Sequence, residues 1–176
     1  KFLTEKHGLF YFLVILVVLT RLLPHPINFA PIRALGLFSG AYVMDRRAWL
    51  IPIIALLISD FFIGFYTPII MLSVYVSFAL SALIGRYALS NKRSVIRLGG
   101  SAVASATILF VLSNFTLWTT GLYYPLTLEG LLTCFVRAIP FYGNTLAGDL
   151  FYSAVLFGTY EGIKHCLNKG DNLHTA

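Results

Sequence analysis

The run IIMLSVYVSFALSALIGRYAL at residues 69–89 decides the fold class of this chain. It carries a single charge, Arg86, and about 20 apolar residues are enough for a helix to cross the hydrocarbon core of a bilayer. The rest of the sequence has the same character, because 58% of the 176 residues are hydrophobic and only 11% are charged. A soluble domain of this size cannot bury so much apolar surface. The sequence therefore predicts an all-α membrane protein.

Six apolar segments are expected to span the membrane as one transmembrane domain that covers residues 1–176. They are Leu9–Leu23, Phe29–Met44, Ala48–Tyr66, Ile69–Leu89, Leu98–Thr119 and Leu146–Lys164. The second segment is short, which predicts tilt or local thinning of the bilayer. A further apolar segment, Leu126–Ile139, has the length of a re-entrant or interfacial helix, so about six spans are expected.

The first span resembles a signal peptide, because Lys1 and Lys6 precede its apolar run. No small-residue cleavage site follows that run, and we therefore expect it to remain as a span.

The distribution of Lys and Arg predicts the orientation of the chain. With six spans, Arg21, Arg33 and Arg137 fall on one side of the membrane, and the other ten basic residues fall on the opposite side. Those ten are Lys1, Lys6, Arg46, Arg47, Arg86, Lys92, Arg93, Arg97, Lys164 and Lys169. The positive-inside rule makes their side cytoplasmic. Both termini are then expected in the cytoplasm, as in a multi-pass protein of the bacterial inner membrane. The net charge of +6 reflects this topology and does not indicate a nucleic-acid-binding module.

Ionisable residues gather toward the predicted outer mouth of the bundle. They are Arg21, Arg33, Asp60, Arg137 and Asp149. Charges near membrane depth are costly and usually face protein or water, so this cluster is a candidate solute site. The alternative is structural, with the aspartates pairing with arginines to hold helices together. Asn114 lies deep enough in the fifth span to need a hydrogen-bond partner, either another helix or a ligand.

Small residues recur at every fourth position in four of the predicted spans. They are Gly36 and Gly40; Ser73, Ser77, Ser81 and Gly85; Gly100 and Ala104; and Ala154, Gly158 and Gly162. Such stripes let helix backbones approach closely, either within one bundle or against a partner membrane protein. We expect most of them to pack internally.

Catalytic motifs are missing from the sequence, which contains no HExxH, GxSxG or P-loop pattern. Cys134 and Cys166 lack a metal-ligand spacing. We therefore expect no enzymatic activity, cofactor or metal. The alternative is a membrane enzyme that uses Asp60 and Asp149 as a carboxylate pair.

Three stretches carry a resemblance to a known family: NFAPIRALGLFSGA at residues 28–41, LISD at 57–60, and IPF at 139–141 with NTLAGDL at 144–150. They are similar to an uncharacterised family of small bacterial membrane proteins. That family in turn resembles the S components, the substrate-binding subunits of energy-coupling-factor (ECF) vitamin transporters. The resemblance implies a six-helix bundle that binds a vitamin near its outer face. It also implies docking onto a shared transmembrane subunit with two cytoplasmic ATPases.

One departure concerns the first span, which lacks the Ala-xxx-Ala stripe through which S components typically dock. A solitary uptake protein is therefore an alternative to an ATPase-coupled one. In both cases the sequence predicts capture of a small vitamin-like solute, and the rival hypothesis is an accessory subunit of a larger membrane complex. The predicted solute site comprises Arg21, Asn28, Arg33, Asp60, Asn114, Arg137, Asn144 and Asp149.

Overall fold

The computed structural model describes residues 15–24, 26, 28–43, 47–91 and 93–174, which form six helices and no strand. The expected all-α class is confirmed. The helices are α1 at residues 15–22, α2 Ile32–Tyr42, α3 Leu50–Ile63, α4 Pro68–Ile84, α5 Val95–Thr119 and α6 Leu128–His174. A π-helical turn, Gly85–Leu89, continues α4. The start of the predicted first span, up to residue 14, and Met44 at the end of the second lie outside the described residues.

Helix α2 occupies the centre of the bundle. It contacts α3, α4, α5 and α6, and every residue from Ile32 to Ala41 is buried. Two apolar clusters surround it, one built on Leu35 and Phe78 and the other on Leu37 and Phe157. Its 11 residues span roughly 17 Å at 1.5 Å per residue. That length is about half of a bilayer's hydrocarbon core, and the burial of α2 makes it the central helix of the bundle.

Among the described residues, two helices are long and apolar enough to cross a membrane, Pro68–Leu89 and Val95–Thr119. Leu50–Ile63 is also apolar but shorter. Large apolar side chains are nevertheless exposed on other helices, such as Phe61 at 73% and Phe62 at 67% on α3. Exposed apolar surface of this kind is typical of an interaction with a membrane or a partner protein.

Glycines bring α2 and α4 into close contact. A Cβ on Gly36 would lie 2.0 Å from the Ser81 hydroxyl, and one on Gly40 would lie 1.8 Å from the Ala82 carbonyl oxygen. A Cβ on Gly85 would meet the Leu37 carbonyl oxygen at 2.1 Å. The two backbones therefore pack directly against each other, and the expected internal packing of these two small-residue stripes is confirmed.

The small residues of α5 and α6 behave differently. No described atom lies within 4 Å of a Cβ built on Gly100, Gly158 or Gly162. Ala104 and Ala154 are also exposed. The expectation of internal packing is therefore wrong for these two stripes, which lie on the surface of the chain.

Helix α6 runs without a break through a region that the sequence analysis predicted as two separate segments. Its 47 residues include Pro140 and join the predicted re-entrant segment Leu126–Ile139 to the predicted last span. The Pro, Gly and Asn residues after Ile139 favour a break, but packing against α5 outweighs that preference. The Tyr142 ring lies 5.0 Å from that of Phe110, and its hydroxyl lies 2.9 Å from the Thr107 hydroxyl.

Candidate functional site

Arg21 and Asp60 form an ion pair that links α1 to α3. The Arg21 Nη1 donates to Asp60 Oδ1 at 2.6 Å and also to the Ser59 hydroxyl. The Tyr75 hydroxyl of α4 donates to the other carboxylate oxygen at 3.0 Å. Asp60 is almost fully buried, whereas the Arg21 side chain is 20% exposed.

A second ion pair, between Arg33 and Asp149, links α2 to α6. The Arg33 Nε lies 2.7 Å and 2.9 Å from the two carboxylate oxygens. Both side chains are buried, with 4% of Arg33 and none of Asp149 exposed. The Arg33 guanidinium carbon lies 5.3 Å from the centre of the Phe78 ring on α4, a cation–π distance.

These contacts give four of the five predicted outer charges partners within the chain. Each aspartate pairs with a different arginine, and each pair joins a different set of helices. Opposite charges at low dielectric compensate each other, although the buried Arg33 Nη2 makes no hydrogen bond to a described residue. The structural alternative to a charged solute site therefore accounts for Arg21, Arg33, Asp60 and Asp149.

A cavity of about 120 Å³ lies between α5 and α6. Asn28, from the connection between α1 and α2, contributes to its wall. The other lining residues are Leu109, Phe110, Ser113 and Asn114 of α5, and Ala138, Phe141, Tyr142 and Thr145 of α6. Two residues of the predicted site, Asn28 and Asn114, thus lie at one cavity.

Local backbone structure positions Asn28 at this cavity. Its φ of 65° is left-handed, a conformation that Asn adopts more readily than most residues. The next residue, Phe29, packs on α6, where its ring lies 5.3 Å from that of Tyr152. Gly148 permits this approach, because a Cβ there would lie 3.1 Å from the Phe29 Cα.

The hydroxyl groups of the cavity present oxygen lone pairs. The Ser113 hydroxyl donates its proton to the Leu109 carbonyl at 2.7 Å, and the Thr145 hydroxyl donates to the Phe141 carbonyl at 2.8 Å. Each oxygen can still accept a hydrogen bond.

Tyr142 also presents an acceptor. Its hydroxyl shares a hydrogen bond with the Thr107 hydroxyl in which either group can be the donor, and in both cases the Tyr142 oxygen keeps a lone pair that can accept.

The two amides of the cavity differ in how they are used. The Asn114 Nδ2 donates to the Phe110 carbonyl at 2.7 Å, and its Oδ1 accepts no hydrogen bond from any described residue. The Asn28 side chain makes no hydrogen bond within the described part of the chain. The cavity therefore combines several acceptors with one uncommitted amide and three aromatic rings.

The sequence matches a family of unknown function, DUF6580, over residues 3–169. The chain belongs to the DUF6580 family. No curated protein and no solved structure matches it.

Two further predicted site residues of this DUF6580 chain lie away from the cavity. Arg137 is exposed and lines a surface groove of about 490 Å³ along the first turns of α6, with Leu128, Leu132 and Val136 among its neighbours. Asn144 is exposed on α6 and lines neither the groove nor the cavity. The eight predicted residues are therefore divided among two ion pairs, the cavity and the surface.

A polar cluster at the opposite end of α2 was not predicted from the DUF6580 sequence. Tyr42 donates a hydrogen bond to Glu161, and Arg93 lies 3.3 Å from the same carboxylate oxygen. The Arg93 guanidinium carbon also lies 4.2 Å from the centre of the Tyr42 ring. This cluster fixes the end of α2 to α6. In the described ranges, no group of three or more His, Cys, Asp or Glu residues is arranged to hold a metal ion.

Proposed function

We propose that this chain is a membrane-embedded binding and uptake protein for a small vitamin-like solute, similar in its mode of action to the S components of ECF transporters. The observation that carries the proposal is the cavity between α5 and α6. Small-molecule sites are concave and largely apolar or aromatic, with a few fixed polar groups that orient the ligand. Phe110, Phe141 and Tyr142 supply the rings here, and Asn28 and Asn114 supply the amides.

In this proposal the two ion pairs hold the cavity in place. Asp149 lies one helical turn beyond Thr145 on α6, and its partner Arg33 lies a few residues beyond Asn28. The pair thus links the Asn28 side of the cavity to α6. In this proposal its charges hold the cavity in shape and do not contact the solute.

The proposal also includes the membrane topology. A six-span chain in the bacterial inner membrane, with both termini cytoplasmic, opens the cavity toward the outer face. The chain has no P-loop, so any ATP-driven step belongs to separate transmembrane and ATPase subunits. No catalytic role is assigned to the chain.

Native mass spectrometry of the gently purified chain tests this function. We expect a retained small molecule on the wild-type protein and on Ala154→Phe, which adds a ring on the exposed side of α6. Ala138→Phe should lose the molecule, because Ala138 lines the cavity and its new side chain would fill that space. Thermal unfolding of both variants controls for folding. Retention by Ala138→Phe at wild-type level would contradict the proposal.

A second candidate function is an accessory subunit of a larger membrane complex. The exposed small-residue stripes of α5 and α6 favour it, because Gly100, Gly158 and Gly162 leave open space for another backbone. The same mass spectra distinguish the two candidates. A retained protein subunit without any small molecule would favour the accessory role.

A further inference from the structure

The structure points to the chemical class of the solute: we infer that the α5–α6 cavity binds a planar, one-ring group that donates N–H hydrogen bonds and is not an anion. This inference rests on the proposed function, because it concerns the same cavity. Three properties of the cavity carry it, namely its size, its hydrogen-bonding inventory and its lack of charge.

The size of the cavity limits the bound group to one ring. A cavity of about 150 Å³ in another protein accommodates one benzene molecule. The cavity here is slightly smaller, at about 120 Å³. Sites for drug-sized ligands measure roughly 300–1,000 Å³. A single ring therefore fills this cavity, and any remaining part of a larger solute lies outside it.

The hydrogen-bonding inventory favours a donor. Ser113 and Thr145 donate their hydroxyl protons to backbone carbonyls and present lone pairs to the cavity, and the Tyr142 oxygen can also accept. Asn114 adds a carbonyl oxygen. The uncommitted amide donors are those of Asn28, which can also accept, and the second Nδ2 hydrogen of Asn114. A group with several N–H bonds satisfies these oxygens, whereas a group with acceptors alone faces lone pairs on most sides.

The charge of the cavity disfavours an anion. None of the nine lining residues is an Asp, Glu, Lys, Arg or His. The nearby Arg33 is already neutralised by Asp149. A carboxylate in the cavity would lose its hydration and gain no cationic partner, which is costly.

Benzamide and benzoate form a matched pair for testing this inference. They share the ring and the planar three-atom substituent, but benzamide carries two N–H donors whereas benzoate is an anion with acceptors only. Isothermal titration calorimetry of each compound into the purified full-length chain should give at least tenfold tighter binding of benzamide. Benzamidine, which has more N–H donors, should also bind more tightly than benzoate.

Two asparagines on adjacent helices provide matched variants. Asn114→Leu removes an acceptor of the cavity and should weaken benzamide binding at least fivefold, whereas Asn144→Leu alters an exposed asparagine and should leave it unchanged. If Asn114→Leu does not fold, Ser113→Ala removes a second cavity acceptor with little change of shape. If Asn114→Leu and Asn144→Leu weaken benzamide binding equally, the assignment of the binding site to this cavity is overturned.

The outcomes separate this inference from the proposed function. Equal or tighter binding of benzoate, or no binding of benzamide at millimolar concentration, overturns the inference about the solute class. The uptake proposal still holds in that case if native mass spectra contain a retained small molecule. Selective benzamide binding without any retained molecule supports the inference about the cavity and counts against uptake as its purpose.

Discussion

At the scale of single residues, the two ion pairs differ in how strongly they depend on the protein around them. Arg33 and Asp149 are both buried, whereas a fifth of the Arg21 side chain is exposed to solvent. Attraction between charges strengthens as the local dielectric falls, and so does the cost of leaving one charge alone. The pair between α2 and α6 is therefore the more sensitive of the two.

A double-mutant series measures that sensitivity. Asp149→Leu leaves the Arg33 guanidinium buried without a partner and should lower the free energy of unfolding by about 3–5 kcal/mol. The double variant Arg33→Leu with Asp149→Leu removes both charges and should recover most of that loss. Thermal unfolding in detergent gives both values. If the double variant is less stable than Asp149→Leu, the two charges contribute to the free energy of unfolding by more than neutralising each other.

The sequence identified the charged residues but not their partners. A charge at membrane depth is conspicuous in an apolar sequence, which is why Arg33 and Asp149 were selected. Their pairing joins positions 116 residues apart and depends on the packing of α2 against α6. The cavity was found only in part, because Ser113, Tyr142 and Thr145 are ordinary helix residues until the facing helix is known.

At the scale of helices, contact between α2 and α4 depends on glycine. A Cβ on Gly40 would overlap the Ala82 carbonyl, and backbone atoms cannot move aside as a flexible side chain can. Helix α6 presents the opposite case, because its glycines at positions 158 and 162 meet open space. Both patterns look the same in sequence, since small-residue spacing does not reveal which face has a neighbour.

Substituting alanine at one glycine of each kind should change stability in opposite directions. Gly40→Ala should destabilise the bundle by about 1–3 kcal/mol, because α2 and α4 must separate to admit the methyl group. Gly158→Ala should stabilise it by about 0.5–1 kcal/mol, because alanine is the better helix former and finds no obstacle. Differential scanning fluorimetry of both variants reports the two shifts. Equal shifts in the midpoint temperature would contradict the close approach of α2 and α4.

At the scale of the whole molecule, the sequence predicted the helices better than their environments. The observed bounds of α3, of α5, and of α4 together with its π-helical turn fall within about three residues of the predicted spans, because long apolar runs leave few alternatives. Helix α2, the predicted short span, is buried within the bundle, whereas α3 exposes large apolar side chains. Hydropathy cannot separate these cases, since protein interior and lipid both favour apolar side chains.

The proposed orientation has a direct test. A periplasm-active reporter fused after Leu173 should be inactive, because the basic residues predict that the C-terminus is cytoplasmic. The same reporter inserted after Gly121, in the connection between α5 and α6, should be active. Activity at the first position would reverse the orientation and place the cavity on the cytoplasmic side.

Because α6 is continuous, it fixes the rotation about its axis that relates the cavity to the polar cluster of Tyr42, Arg93 and Glu161. Thr145 and Asp149 are four residues apart, as are Phe157 and Glu161, so the residues of each pair lie on the same face of the helix. Inserting or deleting one residue between Asp149 and Phe157 would turn everything after it by about 100°. Phe157 would then leave the α2 core, and Glu161 would turn away from Tyr42. Substitutions along this stretch of α6 can be absorbed by repacking, but a change in its length cannot.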